Sequence, residues 1–462
     1  MHYLILAIII AVSVIDQLTA SHILPRPLAF LPEVLSAIAL LYVGAVGARQ
    51  RFCNVRTSYW FAFGGIALVM ACGAIANDVA PGPIFAGMRY YLRAIPIFFL
   101  PAVYEFKDWQ IRQQLRLLLL VGIMQLPFAW HQRLLVIRTF RFSGDSVVGT
   151  LIDSSVLSIY LICAVCILTG LFLRQRLSAL TYFILFFYLL AATTINETKG
   201  TLILLPIALL TVVLVGTPPA KRLRITLLTV GLFGVFLAGF IPVYDYMERA
   251  NPYYTSIENF FTSEKKVGQY LDTGSGLGAR RETGRVDAIV VPLKRMSADP
   301  AQLAFGLGIG NASHSNLGPQ FIGAYFPLFA GFLVSSFSIF LLETGVFGIT
   351  LIYMLYWLVF RDSLAVARSD DSLTGWIAIG WSGVVVLVVI ATPYKTLHTF
   401  ESLSYLFWYF SGLIAARRMR LAISAHTEEQ LAPTSSTMRP IVSARDQRRI
   451  SGVRHPSIRA RN

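Results

Sequence analysis

The chain has 462 residues, of which 56% are hydrophobic and 14% charged, with a formal net charge of +15. Soluble domains carry about 25% charged residues, so a soluble globular fold is excluded, and apolar runs that are continuous rather than alternating exclude a β-barrel. In so apolar a chain the surplus of cations reads as the basic flanks of membrane helices and not as a nucleic-acid surface. The class is an all-α polytopic membrane protein.

The opening stretch, MHYLILAIIIAVSVIDQLTASH, lacks a basic leader and an A-x-A cleavage site, so it reads as a retained first helix rather than a signal peptide. Helices are expected near 2–18, 28–47, 58–77, 86–104, 117–131, 151–173, 178–195, 200–216, 225–243, 344–360, 374–392 and 402–416, which makes about twelve transmembrane helices. Arg49, Arg51 and Arg56, then Lys107, Arg112 and Arg116, then Arg174 and Arg176, then Lys221, Arg222 and Arg224, then Arg361 and Arg368 all fall on one side under this threading. The positive-inside rule makes that side cytoplasmic and puts both termini there. Four regions result: 1–244 with nine helices, a loop domain over 245–320 facing the other side, 321–416 with a re-entrant or interfacial segment and the last helices, and a basic cytoplasmic tail over 417–462, expected to be disordered. Cys163 and Cys166 form a C-x-x-C inside an apolar helix with no histidine nearby, which reads as two small packing residues rather than a redox or zinc site.

Some cations break the charge rule. Arg89 and Arg93, Arg133, Arg138 and Arg141, Lys199 and Lys395 fall in short outward connections, and the large loop adds Arg280, Arg281, Arg285, Lys294 and Arg295. An isolated charge among apolar helices costs about 2.5–3.5 kcal/mol at the helix centre. Collectively these residues suggest an outer-face site for an anionic ligand, and a lipid-linked phosphate or diphosphate has its head group at this depth. The segment GLGIGNASHSNLG, Gly306 to Gly318, is not a phosphate loop: its spacing is G-x-G-x-G and no Lys-Ser/Thr follows. Its glycines read as tight turns beside the membrane. His314 within it could accept a proton from a sugar hydroxyl, and Glu282, Asp287, Asp299 and Glu343 are rival bases. No Asp-x-Asp motif lies in the outward loops, so no metal and no cofactor is expected.

Four stretches resemble the O-antigen polymerase and O-antigen ligase superfamily of bacterial inner-membrane proteins. They are RFSGDSVVGTLIDSSVLSIYL from Arg141, TTINETKGTLILLPIALL with Lys199 where arginine is usual, GRVDAIVVPLKRMSADPAQLAFGLGIG with Arg285, and SSFSIFLLETGVFGI with Glu343 and Gly345. Ligase-like members carry a histidine at the place that Val334 takes here, and His314 lies twenty residues upstream of it. The resemblance therefore leans toward polymerases of exopolysaccharide or capsule repeat units.

That resemblance implies a large periplasmic loop domain and inverting, metal-independent glycosyl transfer at the periplasmic face of the inner membrane. Donor and acceptor are glycans on polyprenyl diphosphate, with the lipid bilayer, a flippase and a chain-length regulator as partners. Arg285, Arg141 and Lys199, supported by Arg280 and Arg281, would stabilise the departing diphosphate. A base among His314, Asp287 and Glu343 would take the hydroxyl proton, or the step needs little base assistance. The rival readings are a ligase that moves finished glycan to a lipid or protein acceptor, and a lipid-linked oligosaccharide flippase or secondary transporter. Arg285→Ala is expected to abolish chain extension while membrane insertion stays normal; polymer length on a gel checks it, and wild-type length would refute the assignment.

Overall fold

The structure is a computed structural model; it describes residues 1–50, 54–138, 146–249, 256–263, 284–315 and 317–431. Among these residues every regular element is helical. Seven helices are long and apolar enough to cross a membrane. They are α1 (His2–Ala20), α2 (Leu31–Gln50), α3 (Thr57–Ala76), α7 (Ser154–Leu173), α10 (Pro219–Glu248), α15 (Ser336–Ser369) and α16 (Leu373–Ala391). Two shorter apolar helices, α8 (Ala179–Ile195) and α9 (Thr201–Gly216), accompany them. The long helices α6 (Asp108–Arg138) and α17 (Glu401–Leu431) mix apolar and charged turns. The remaining helices are short: α4 (Pro81–Leu92), α5 (Ile95–Val103), α11 (Ile257–Thr262), α12 (Asp287–Met296), α13 (Pro300–Phe305) and α14 (Phe326–Phe329).

The chain alternates between two groups of helix ends. In one group His2 meets Gln113 and Gln114, Asn54 meets Ala102, Arg56 meets Asp362, Arg174 meets Ala367, and Arg417 meets Asp370. In the other, Arg93 meets Glu401, Arg133 meets Glu197 and Met247, Lys395 meets Asp153, and Asn77 meets Gly306. Each long helix from α6 onward runs from one group to the other.

The centre of the bundle is α7, whose residues are nearly all buried, packed against α16 and α9. Gly170 and Gly380 let α7 and α16 touch backbone to backbone: a Cβ on Gly170 would stand 2.7 Å from the Gly380 nitrogen. Cys166 is buried at this seam beside Gly383, in the packing role its apolar setting implied. By contrast α10 exposes Leu223, Leu227, Leu228, Val230 and Val235, as a helix facing lipid would.

Several element ends differ from the sequence reading. The helix expected over 86–104 is two, α4 and α5, joined at Arg93 and Ala94, with Pro96 opening α5 where its missing N–H costs nothing. The helix expected from Thr344 begins at Ser336, because Ser335 and Ser338 form a reciprocal cap. The first helical region runs past 244 to Glu248. The assignment of everything from 417 to a disordered tail is corrected, since α17 stays helical to Leu431. Arg417 pairs with Asp370 at 2.8 Å, and Arg420 donates to the Pro101 carbonyl.

Between α10 and α15 the described part of the long connection builds a small core of its own: Met296, Leu307, Ala312 and Phe329 close on Leu341 and Leu342 of α15. At Gly345 the backbone of α15 leaves helical geometry, with φ +62° and ψ −166°. Residue Gly345 lies where α13 and the glycine-rich turn dock, and a Cβ there would stand 2.5 Å from the Ala304 oxygen and the Gly306 nitrogen. Only glycine meets both demands.

Two outcomes follow. Gly345→Ala combines a left-handed backbone with a backbone clash and is expected to cost about 2–4 kcal/mol, read as a lowered unfolding temperature in detergent. Burial pushes the Asp370 carboxyl up, but its bonds from Arg417 and Ser372 outweigh that and hold it below the usual carboxylate range. The pair's contribution is therefore complete above that range and is lost as pH falls through the lowered value. Asp370→Asn is expected to flatten the acid limb of a thermal-stability profile.

Candidate functional site

Three cations and two carboxylates gather where the second group of helix ends meets. Asp153 begins the construction: one oxygen accepts from the Ser155 and Val156 N–H groups and starts α7. Its other oxygen lies 2.7 Å from the Lys395 ammonium, just past α16. Beside it, α8 ends at Asn196, whose buried amide donates to the Ser154 carbonyl and ties the α8–α9 connection to the start of α7.

Glu197 comes next, at φ +60°. This is the left-handed position after a helix that glycine usually fills, and a side chain there costs about 1–2 kcal/mol. The carboxylate it presents lies 2.6 Å from Arg133 of α6, both side chains being less than a tenth exposed. The Arg133 Nη2 donates to the Met247 carbonyl at 2.9 Å, while Nε and Nη1 are buried and reach no acceptor. Lys199, two residues after Glu197, stands 5.6 Å from the ring of Tyr244. Tyr244 and Met247 are one turn apart on α10, so Arg133 and Lys199 share the same patch of that helix. Tyr394 packs against Gly200 and brings Lys395 to the same connection. Two buried donors of Arg133, Nε and Nη1, reach no acceptor among the described residues.

Such an arrangement favours an anion. A buried charged donor without a partner costs upward of about 1–3 kcal/mol, and an oxygen-rich anion bridging the Arg133 fork and the Lys199 ammonium would recover it. Among the described residues no group of three histidine, cysteine, aspartate or glutamate side chains is placed to hold a metal ion.

The residues picked from sequence are distributed as follows. Lys199 lies in this cluster. Arg141 falls in 139–145, outside the described residues, in the connection that joins the helix of Arg133 to the helix capped by Asp153; Arg280, Arg281 and Glu282 are outside them as well. Arg285 and Asp287 open α12, which packs on α13 and α15. Asp299 caps α13 through the Ala301 N–H. His314 is exposed, its ring 5.3 Å from that of Phe326.

Glu343 answers what the glycine-rich turn does. Its carboxylate is 1% exposed and lies near Gly310, Ala312, Ser313 and Tyr91, with its Oε1 and the Tyr91 hydroxyl both buried and without a hydrogen-bond partner. Residues 306–312 are all buried, and the turn threads between α3, α4 and α15. At Gly310, φ is +74° and a Cβ would overlap the Pro83 oxygen at 1.9 Å. The turn is fastened to α15 by its backbone: the Leu307 N–H donates to the Leu342 carbonyl, and Gly306 passes against the backbone of Glu343. That geometry suits a fastener for the turn better than a base that must meet a sugar hydroxyl.

Sequence reasoning grouped Arg89, Arg93, Arg133 and Lys395 as cations awaiting a ligand. Each has an acidic partner: Arg89 with Glu33, Arg93 with Glu33 and Glu401, Arg133 with Glu197, Lys395 with Asp153. The partners lie far along the chain, 308 residues for Arg93 and Glu401, so no local pattern announces them. Glu197 had one available signal, a carboxylate in place of glycine directly after a helix and just before Lys199. No protein-family model matches the chain, and no curated protein matches it.

Removing only one partner of a buried pair strands the other charge. Glu197→Gly is therefore expected to destabilise by about 1–3 kcal/mol despite relieving the backbone, while Arg133→Met combined with Glu197→Gly recovers most of the loss. A double-mutant cycle of thermal unfolding in detergent checks it.

Proposed function

We propose that the protein is a polysaccharide polymerase that joins polyprenyl-diphosphate-linked oligosaccharide repeat units at the outer, periplasmic face of the bacterial inner membrane. The two groups of helix ends fit twelve crossings, with α4 and α5 together making one and both termini on the cytoplasmic side. Under this threading, the cation-rich cluster and the long connection between α10 and α15 share the outer face. The observation that carries the reading is the Arg133 guanidinium, buried with two unclaimed donors on the patch of α10 that Lys199 also reaches.

The chemistry needs no nucleotide, since the donor already carries a diphosphate leaving group. The acceptor hydroxyl forms the new bond at the anomeric carbon as the bond to the diphosphate breaks on the opposite side, which inverts the centre. Negative charge builds on the departing diphosphate, and Arg133 and Lys199 meet it with donors already in place. Lys395, fixed by Asp153, holds the α16 end of the cluster, and Glu197 aims the arginine. Arg141, Arg280, Arg281 and Arg285 are the further cations assigned by resemblance. Of the base candidates, His314 is exposed to a hydroxyl, Asp287 is half-buried and Glu343 is buried beneath the turn.

Purified protein in vesicles with lipid-linked repeat units tests the reading. Wild type is expected to yield ladders of new glycosidic bonds, and Lys199→Ala to lose about 100- to 1,000-fold in rate, as removal of one such donor costs about 2.7–4 kcal/mol. Transfer of finished glycan to a different acceptor would indicate the ligase reading. Translocation without new bonds would indicate transport, and either would overturn the proposal.

A further inference from the structure

A second charged cluster lies at the same group of helix ends and is independent of the polymerase reading. Arg93, at the junction of α4 and α5, sends Nη1 to Glu401 at 2.8 Å and to Glu33 at 3.5 Å, and Nη2 to the Thr399 carbonyl at 2.5 Å. One turn earlier Arg89 meets the same Glu33 oxygen at 2.6 Å. Asp16 of α1 lies within the electrostatic reach of Arg93, Glu33 and Arg89. Four helices thus contribute three carboxylates and two guanidinium groups. The Arg93 and Glu401 side chains are 4% and 6% exposed, and those of Glu33 and Arg89 16% and 19%.

The count does not balance. Arginine keeps its charge, so full ionisation would leave one uncompensated negative charge among apolar helices, which the membrane setting penalises heavily. The second oxygens of Glu33 and Glu401 are both buried with no hydrogen-bond partner, as are the Arg93 Nε and the Tyr405 hydroxyl. A carboxylate oxygen left bare in this way is where a proton resolves both the charge and the missing bond. Other groups facing the cluster do not supply the missing positive charge. Tyr90 lies under both guanidiniums and Phe30 under Arg89. The Ser36 hydroxyl is committed to the Arg93 carbonyl. His398 is half-buried, with Nδ1 2.8 Å from the Ser336 hydroxyl, and desolvation, followed by the charge of Arg93, pushes it down to about 3, so it stays neutral. Among the described residues no three acids are placed to hold a metal ion.

We propose that Asp16, Glu33, Arg89, Arg93 and Glu401 form a proton-binding site that holds one exchangeable proton, shared among the three acids and joined to solvent through the less buried Asp16 and Glu33. The proton is an element of the fold: it lets α1, α2, α4 and α17 close on one another, and its loss loosens that junction. The segment 395–401 links this site to Lys395 of the cation cluster, so a change in protonation is positioned to be felt there.

Infrared difference spectroscopy of the full chain in nanodiscs, stepped across neutral pH in H2O and D2O, tests it. Wild type is expected to show one deuterium-sensitive carbonyl band of a protonated carboxyl group that bleaches as pH rises. Asp16→Asn, Glu33→Gln and Glu401→Gln are each expected to abolish it, because each restores two acids to two arginines whichever residue carried the proton. Arg93→Met is expected to double it. Thermal stability falls with rising pH in wild type, since the folded state holds a proton that the unfolded chain releases, and Asp16→Asn flattens that fall. No such band in wild type overturns the proposal even if a variant fails to fold, and so does a band that survives in all three acid variants.

Discussion

A charged side chain taken out of water among apolar helices must find an opposite charge or a dense set of dipoles, and this constraint organises the molecule. The ion pairs sit at helix ends, where the segments they join are far apart in sequence. Arg56 and Tyr59 of α3 close on Asp362 of α15. Asp370 closes on Arg417, Arg133 on Glu197, Lys395 on Asp153, and Arg93 on Glu33 and Glu401. Each pair contributes little net stability over an apolar contact of the same size. Breaking one is costly, however, so the pairs act as a code for which ends belong together.

The glycine-rich turn follows the same logic with dipoles in place of charges. Glu343 is carried into the interior by α15 and lies beside the backbone N–H groups of Gly310 and Ala312, with its Oε1 left without a hydrogen-bond partner. Those N–H groups can converge only where the chain turns tightly against α3 and α4, which is what the small residues there allow. The kink at Gly345 is the counterpart on α15.

Where the accounts fail to balance, chemistry becomes available. The cluster around Arg133 and Lys199 has unclaimed donors on Arg133; the cluster around Arg93 has one acid too many and unclaimed acceptors. The first suits an anion and the second a proton. They lie at the same group of helix ends and are joined by the short segment between Lys395 and Glu401.

The apolar runs alone determined that the chain is a helical membrane protein, because a spanning helix must be continuously apolar over a fixed length; they placed its long helices but not their ends, since α6, α15 and α17 run on through charged turns. The charge pattern also picked out Arg133, Lys199 and Lys395, which packing brings to one cluster. Tertiary structure decided the rest. Glu197 and Arg133, or Arg93 and Glu401, are brought together by packing and leave no periodic mark, so cations that look unmatched along the chain are matched in space. The same holds for Glu343 and the turn that grips it: a buried carboxylate and a glycine run have no meaning apart, and only the close passage of α15 beneath residues 306–313 gives them one.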